Sequence, residues 1–332
     1  MKHARMSIWA AVPLLLLAGA ARAADKVVMA IPNKALSLAP LFLAIDGGAM
    51  KTHGVDMQMV QLTGGPPVNA ALLGGNVQYA TMADDALMEL APTGKVICVY
   101  TYTNSFTQNL QVRNSILAAR KVGLGQPWQD RVRGLKGFTM GVLALGGSSD
   151  LAGRWLWHEA GLDAAKDLTS LRIGAVPAMI AALKQGTIDG FVGSSPAREI
   201  VEGGGFGAAI VRFDEVAAWA DEPFIGIETL ASYLGDHKDL TRRIVQALAE
   251  AQKQVYTDPK SAAAILAQGS LSGTAEPLLV TALSSMHIAF RPATMSDARW
   301  QSALKTHAAV NPAVASVVLK EGVQWTNEFF PR

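Results

Sequence analysis

Two hydrophobic periods alternate along the chain. Val27 to Ile31 is a short apolar run of the buried-strand type. Ser37 precedes a helical stretch from Leu38 to about Asp46, which Gly47-Gly48 ends. Val55 to Leu62 alternates Val, Met, Met and Val with Asp, Gln and Gln, a strand pattern. Thr63-Gly64-Gly65 reads as a turn, Pro66-Pro67 opens a helix through Leu73, and Gly74-Gly75 closes it. Val77 to Thr81 is a third strand, a helix follows from about Asp84 to Leu90, and Val96 to Tyr102 is a β-branched and aromatic strand. Strands alternating with helices predict an α/β fold with a largely parallel sheet.

The same order recurs downstream. Phe138 to Leu143 reads as a strand, and Gly146-Gly147-Ser148-Ser149 leads into a helix from Asp150 to Ala160. Leu171 to Gly174 is a short strand, Pro177 to Lys184 a helix and Ile188 to Val192 a strand. An offset of 111 residues places Met29 on Met140, Ser37 on Ser148, Pro66 on Pro177 and Ala70-Ala71-Leu72 on Ala181-Ala182-Leu183. Two similar α/β lobes are therefore expected, each presenting its post-strand loops at the carboxyl edge of a sheet, where such sheets bind ligands. If the two edges face each other, they form a cleft. From Asp239 onward the pattern is helical: Leu240–Tyr256, Ser261–Gln268, Glu276–Met286, Met295–Thr306, and then Val310–Phe330.

Composition narrows the classes. The chain has 332 residues, half of them hydrophobic, with a net charge of +2, so neither disorder nor a basic nucleic-acid stripe is indicated. One cysteine cannot form an internal disulfide. Lys2 and Arg5 precede an apolar run, Ile8 to Ala18, and Ala21-Arg22-Ala23 supplies a small-x-small cleavage site, the pattern of a secretory signal over residues 1–23. That run is shorter than the ~20 apolar residues of a membrane span. Removing residues 1–23 takes away three bases and no acid and leaves a balance of −1. No cysteine follows the apolar run, so a free periplasmic protein, monomeric, is expected rather than a lipid-anchored one.

Several segments resemble the nitrate/sulfonate/taurine-type periplasmic substrate-binding proteins of ABC transporters. They are Ala39-Pro40-Leu41-Phe42-Leu43-Ala44 with Gly54-Val55, Ala71-Leu72 with Gly75-Asn76-Val77-Gln78-Tyr79-Ala80, Leu135-Lys136-Gly137, and Ala182-Leu183 with Gly186-Thr187-Ile188-Asp189-Gly190. The resemblance implies the two-lobed type II periplasmic-binding fold, with a mostly parallel sheet in each lobe and the ligand between them. Lobe I would comprise residues 24–112 and 226–332, and lobe II residues 113–225, with crossings near Gln111–Asn114 and Glu222–Gly226. It further implies a small polar or anionic solute, closure about a hinge, and a membrane permease as partner. A pyrimidine-precursor synthase of the same fold and an exported sensor for a membrane kinase are the alternatives. The segment Ser115–Arg133 is longer than the family pattern and basic, with Arg120, Lys121, Arg131 and Arg133 beside Asp130.

Candidate cleft residues follow from helix termini, whose free N–H groups and partial positive charge attract anions. Ser37, Ser148 and Ser149 stand at such positions. Thr63-Gly64 lets backbone approach a ligand, and Ser194-Ser195 occupies the matching loop of the second lobe. Asp84 at a helix start would favour an ammonium or hydroxyl, so a zwitterion such as an aminosulfonate suits the set. Glu222, near the return crossing, reaches the cleft or solvates the hinge. Phe106 and Trp219 are candidate apolar walls. Gly146-Gly147-Ser148-Ser149-Asp150 is not a nucleophile elbow, since Asp150 stands where a glycine is needed. The six histidines show no paired spacing, so neither metal nor other cofactor is expected, and no enzyme chemistry.

Overall fold

The computed structural model describes residues 23–331; the expected signal segment lies outside them except for its last residue. Ten strands form two five-stranded sheets. The first contains β1 (Asp25–Ile31), β2 (Val55–Gln61), β3 (Tyr79–Ala83), β4 (Val96–Thr103) and β10 (Ile225–Leu230), in the order β2-β1-β3-β10-β4. The second contains β5 (Gln108–Arg113), β6 (Phe138–Val142), β7 (Leu168–Arg172), β8 (Gly190–Ser194) and β9 (Gly207–Arg212), in the order β7-β6-β8-β5-β9. In each sheet one strand runs against the other four: β10 in the first and β5 in the second. Each reversed strand is the first to form after the chain has left the other sheet.

The 111-residue offset survives at the level of register. Met29 pairs with Tyr79 and Ala30 with Ala80; Met140 pairs with Gly190 and Gly141 with Phe191, the same four positions moved by the offset. Val27, Met29 and Ile31 of β1 enter the main hydrophobic core, as do Phe138, Met140 and Val142 of β6. Ala30 points to a separate apolar layer on the opposite face of the first sheet, as the two-residue period of a strand requires. The equivalence extends to β4 and β9, which also differ by 111 residues at their starts.

The crossings correct the sequence reading. The first was placed near Gln111–Asn114, but Gln108–Arg113 is paired on both sides in the second sheet, so the chain crosses at residues 104–107. The return runs through residues 213–224 and ends where β10 begins. The two crossings bond each other, Phe106 N–H donating to the Trp219 carbonyl at 3.1 Å. Phe106 lies 4.4 Å from the rings of both Trp219 and Phe224, and 4.9 Å from Phe213. Phe106 and Trp219 thus belong to an aromatic cluster that packs the two crossings together, and they do not line the cleft. Burying four such rings contributes about 1.5–3 kcal/mol each.

Most of the C-terminal helices form as the periodicity predicts, at Lys238–Thr257, Pro259–Gln268, Glu276–Met286 and Asp297–Ala308. The long helix Lys238–Thr257 packs on the helix Ala39–Asp46 of the first lobe. Helix Asp297–Ala308 backs the hinge: Arg299 donates to Asn104 Oδ1 of the first crossing at 3.1 Å and pairs with Asp221 of the second, also at 3.1 Å. Beyond it the expected helix over Val310–Phe330 is absent. Only a 3-10 turn, Pro312–Val314, forms, and the chain then follows an irregular, turn-rich path that touches β4 at one point, where Cys98 N–H donates to the Gln324 carbonyl and Thr326 N–H to the Cys98 carbonyl. An edge strand with free backbone groups outcompetes a helix here. No helix among the described residues is long and apolar enough to cross a membrane.

Candidate functional site

The two carboxyl edges face each other. At the end of β1, Pro32 and Asn33 form a loop whose Asn33 Oδ1 accepts from Ala35 N–H at 2.9 Å. At the end of β2, Gly64 adopts φ +82°, a left-handed conformation that glycine takes without penalty. A Cβ on Gly64 would lie 2.8 Å from the Ala144 Cβ of the other lobe. Leu36 N–H donates to the Ser195 carbonyl across the same divide at 3.0 Å. The lobes therefore touch across this divide.

Between them lies a cleft with about 610 Å³ of space, open solvent included. Of the residues singled out in the sequence, Ser37, Gly64, Ser148, Ser149 and Ser194 line it together. Thr63 lines the adjoining mouth with Lys34, Gly174 and Pro177. Ser195 faces a different, polar opening beside Arg198 and Arg212, and its hydroxyl donates to Glu199 Oε1 at 3.0 Å. Asp84 and Glu222 do not line the cleft; both are buried behind it.

Helix starts supply part of the wall. The helix Gly65–Leu73 begins at Gly64 and carries Pro66 and Pro67, which have no N–H, in its first turn, while the 12-residue helix Ser148–Glu159 begins at Gly147 and places Gly147, Ser148 and Ser149 on the cleft. Neither Ser37 nor Ser148 caps as expected: the cap positions are Leu38 and Gly147, and neither makes a side-chain cap bond. Ser37 instead sits inside a 3-10 turn, Leu36–Leu38, whose Ser37 carbonyl accepts from the Thr103 hydroxyl at 2.6 Å. Ser148 Oγ accepts from Gln108 Nε2 at 3.3 Å.

Sequence reasoning missed Asn33, Asp85 and Gln108, all of which line the cleft. Asp85 is the neighbour of the residue singled out. It is buried, and its Oδ1 has no hydrogen-bond partner among the described residues. Burial, then the charge of Asp84, pushes its carboxyl up to about 7.

Behind Asp85 lies a second group of titratable side chains. His307, on helix Asp297–Ala308, has its Nε2 3.0 Å from Asp84 Oδ2 and 3.3 Å from Glu222 Oε1. Burial opposes charge on this imidazole, but the two carboxylates outweigh it and hold His307 well above its ordinary value. Burial and the charge of Asp84 raise Glu222 well above the usual carboxylate range. Trp219 packs its ring edge-on to the imidazole at 5.3 Å. The sequence shows no ligand spacing because the three residues come from three segments more than 80 residues apart.

Residues 31–269 match the model of the NMT1-like family. No curated protein matches the sequence. Among solved structures the chain is similar to a protein of Bordetella bronchiseptica RB50, with a TM-score of 0.78, 22% identity and coverage of 92% of this chain and 95% of that one. It is similar to the alkanesulfonate-binding protein SsuA of Xanthomonas axonopodis pv. citri, solved with MOPS, at a TM-score of 0.68, 17% identity and coverage of 91% and 100%. The periplasmic nitrate-binding protein NrtA of Synechocystis PCC 6803 follows at 0.64, 16% identity and coverage of 77% and 69%. At these identities the likeness is one of fold, and the fold is that of periplasmic binding proteins.

Proposed function

This chain belongs to the NMT1-like family, and from that premise we propose that it is the periplasmic solute-binding component of an ABC importer, closing about a small polar solute without transforming it. The observation that carries the reading is the pair of contacts across the cleft, Gly64 against Ala144 and Leu36 N–H on the Ser195 carbonyl, around a space lined by both lobes. Contacts that need both lobes at once favour the closed form only when a solute completes them. The structural neighbours are named for alkanesulfonate and nitrate, both small anions, and the helix start at Ser148 offers matching chemistry here, whereas Pro66 and Pro67 leave the start at Gly65 short of two N–H donors.

The Asp85 carboxyl adds an acceptor on the opposite side of the chemistry, suited to an ammonium or N–H group. The solute class that uses both is an acid or strong acceptor at one end and a nitrogen donor at the other, such as an aminosulfonate or an amino acid. Ser37, Ser148, Ser149 and Ser194 would contact it, with Thr63 at the entrance. The closed form would then be what a membrane permease reads, with residues 1–23 directing export.

A thermal-shift panel of taurine, alkanesulfonates, nitrate, amino acids, pyrimidines and aromatic acids tests the reading, since a ligand that binds only the folded state raises its melting point. At least one member should raise Tm and be recovered unaltered by mass spectrometry. A panel member that emerges chemically changed would overturn the reading in favour of an enzyme.

A further inference from the structure

Asp84, Glu222 and His307 come from three elements: the start of the helix after β3, the return crossing, and the helix Asp297–Ala308. Their side chains are 0–1% exposed. One oxygen or nitrogen from each lies within 4.8 Å of the others. Hydrogen bonding does not satisfy this group. Nε2 of His307 carries at most one hydrogen, and Asp84 Oδ2 accepts it. Asp84 Oδ1, Glu222 Oε2 and His307 Nδ1 are left buried with no hydrogen-bond partner among the described residues, and Glu222 Oε1 has only the 3.3 Å approach of the same Nε2 that Asp84 Oδ2 already engages. Two carboxylates are thus packed together out of water, where each ion costs several kcal/mol to desolvate.

We propose that Asp84, Glu222 and His307 form a buried site for one divalent transition-metal ion of the zinc class, which ties the return crossing of the hinge to the first lobe. In a tetrahedral zinc site the metal lies about 2.0–2.2 Å from imidazole nitrogen and carboxylate oxygen, which sets ligand atoms roughly 3.3 Å apart. The observed separations are 3.0 and 3.3 Å. Two carboxylates and one neutral imidazole balance a divalent charge, and the nitrogen ligand favours a transition ion over calcium or magnesium. The second oxygen of Asp84 or Glu222 can fill a fourth position. Trp219 packs edge-on against the His307 ring, whose Nδ1 makes no hydrogen bond to the described residues. Arg299 and Asp221 already join the same helix to the same crossing, so the metal would sit within an existing hinge brace. The inference is independent of which solute the cleft takes. Its competitor is a proton shared between Asp84 and Glu222.

Elemental analysis of full-length mature protein, purified without chelators or a histidine tag, and refolding of chelator-stripped protein with Co²⁺ alone decide between the two. The metal reading expects close to one equivalent of metal, visible d–d bands of low-coordinate Co²⁺, and a Tm roughly 5–10 °C higher with Zn²⁺ than with chelator. His307→Gln and Glu222→Gln should each lose the bound metal and the bands. Should the first fold poorly, the wild-type metal content and Co²⁺ spectrum stand by themselves. Wild-type protein without metal or Co²⁺ bands, together with a Glu222→Gln protein as stable as wild type, would overturn the site and leave the shared proton. Equal metal in wild type and variants would overturn it as adventitious binding.

Discussion

Asp84 and Asp85 are neighbours in sequence, yet one faces the hinge and the other the cleft. Successive residues on a helix point about 100° apart, so two adjacent acids need not face the same way. The sequence identified the right turn of helix and could not choose the side. Asp85→Asn should weaken binding of an amino-bearing solute by at least about tenfold, the worth of a charged hydrogen bond, and leave its amino-free analogue little changed. Calorimetric titration of the two ligands checks this, and equal losses would count against the role of Asp85. Glu228, on β10, is a different buried acid. Its Oε2 accepts from Met82 N–H at 3.1 Å, and burial raises its pKa well above the ordinary range. A raised folded value means that its contribution to stability is fully present below about pH 4 and is lost as pH rises through the folded value. Glu228→Gln removes that loss. Its Tm relative to wild type should therefore rise by at least about 2 °C between pH 5 and pH 9, a change that thermal melts at the two pH values will show.

At the scale of elements, the repeat was legible because strong strands carry it. Val27, Met29 and Ile31 and their counterparts Phe138, Met140 and Val142 alternate cleanly, and the register of both sheets keeps their offset. The strands that went unread are those with weak patterns. In β5 only Leu110 and Val112 are apolar, while Asn109 and Gln111 are buried by the strands on either side. In β10, Gly226 and Glu228 interrupt the apolar positions, and β9 begins with Gly and two Ala. Their pairing is set by neighbours far along the chain, which local periodicity does not report. The same holds for the C-terminal segment, whose apolar residues serve an irregular path bridged to β4 at Cys98. Trp325, 2% exposed, anchors it. Trp325→Ala should cost about 3–5 kcal/mol, read as a lowered denaturation midpoint, if the segment is part of the fold. A neutral substitution would mean that it is only laid on the surface. Gly64 closes the cleft from its own turn. Gly64→Ala adds a left-handed strain of about 1–2 kcal/mol and a contact with Ala144, so affinity for the strongest panel ligand should fall by about tenfold or more.

For the molecule as a whole, two repeated lobes, two crossings and a back-bracing helix put the cleft on one side of the crossings and a buried ionic group on the other. Family likeness in the sequence reached the two-lobed architecture; the hinge could not be read there, because Phe106, Phe213, Trp219, Phe224 and Arg299 meet only once both crossings are in place. Solute-dependent closure is the property on which the proposed role depends. Small-angle scattering of the protein stripped of bound solute by reversible unfolding, and then saturated with the panel ligand that most raises its Tm, tests it directly. The stripped protein should be measurably larger than the closed structure and should contract to the closed dimensions on adding the ligand. A profile that matches the closed structure with and without ligand would contradict closure as the working motion.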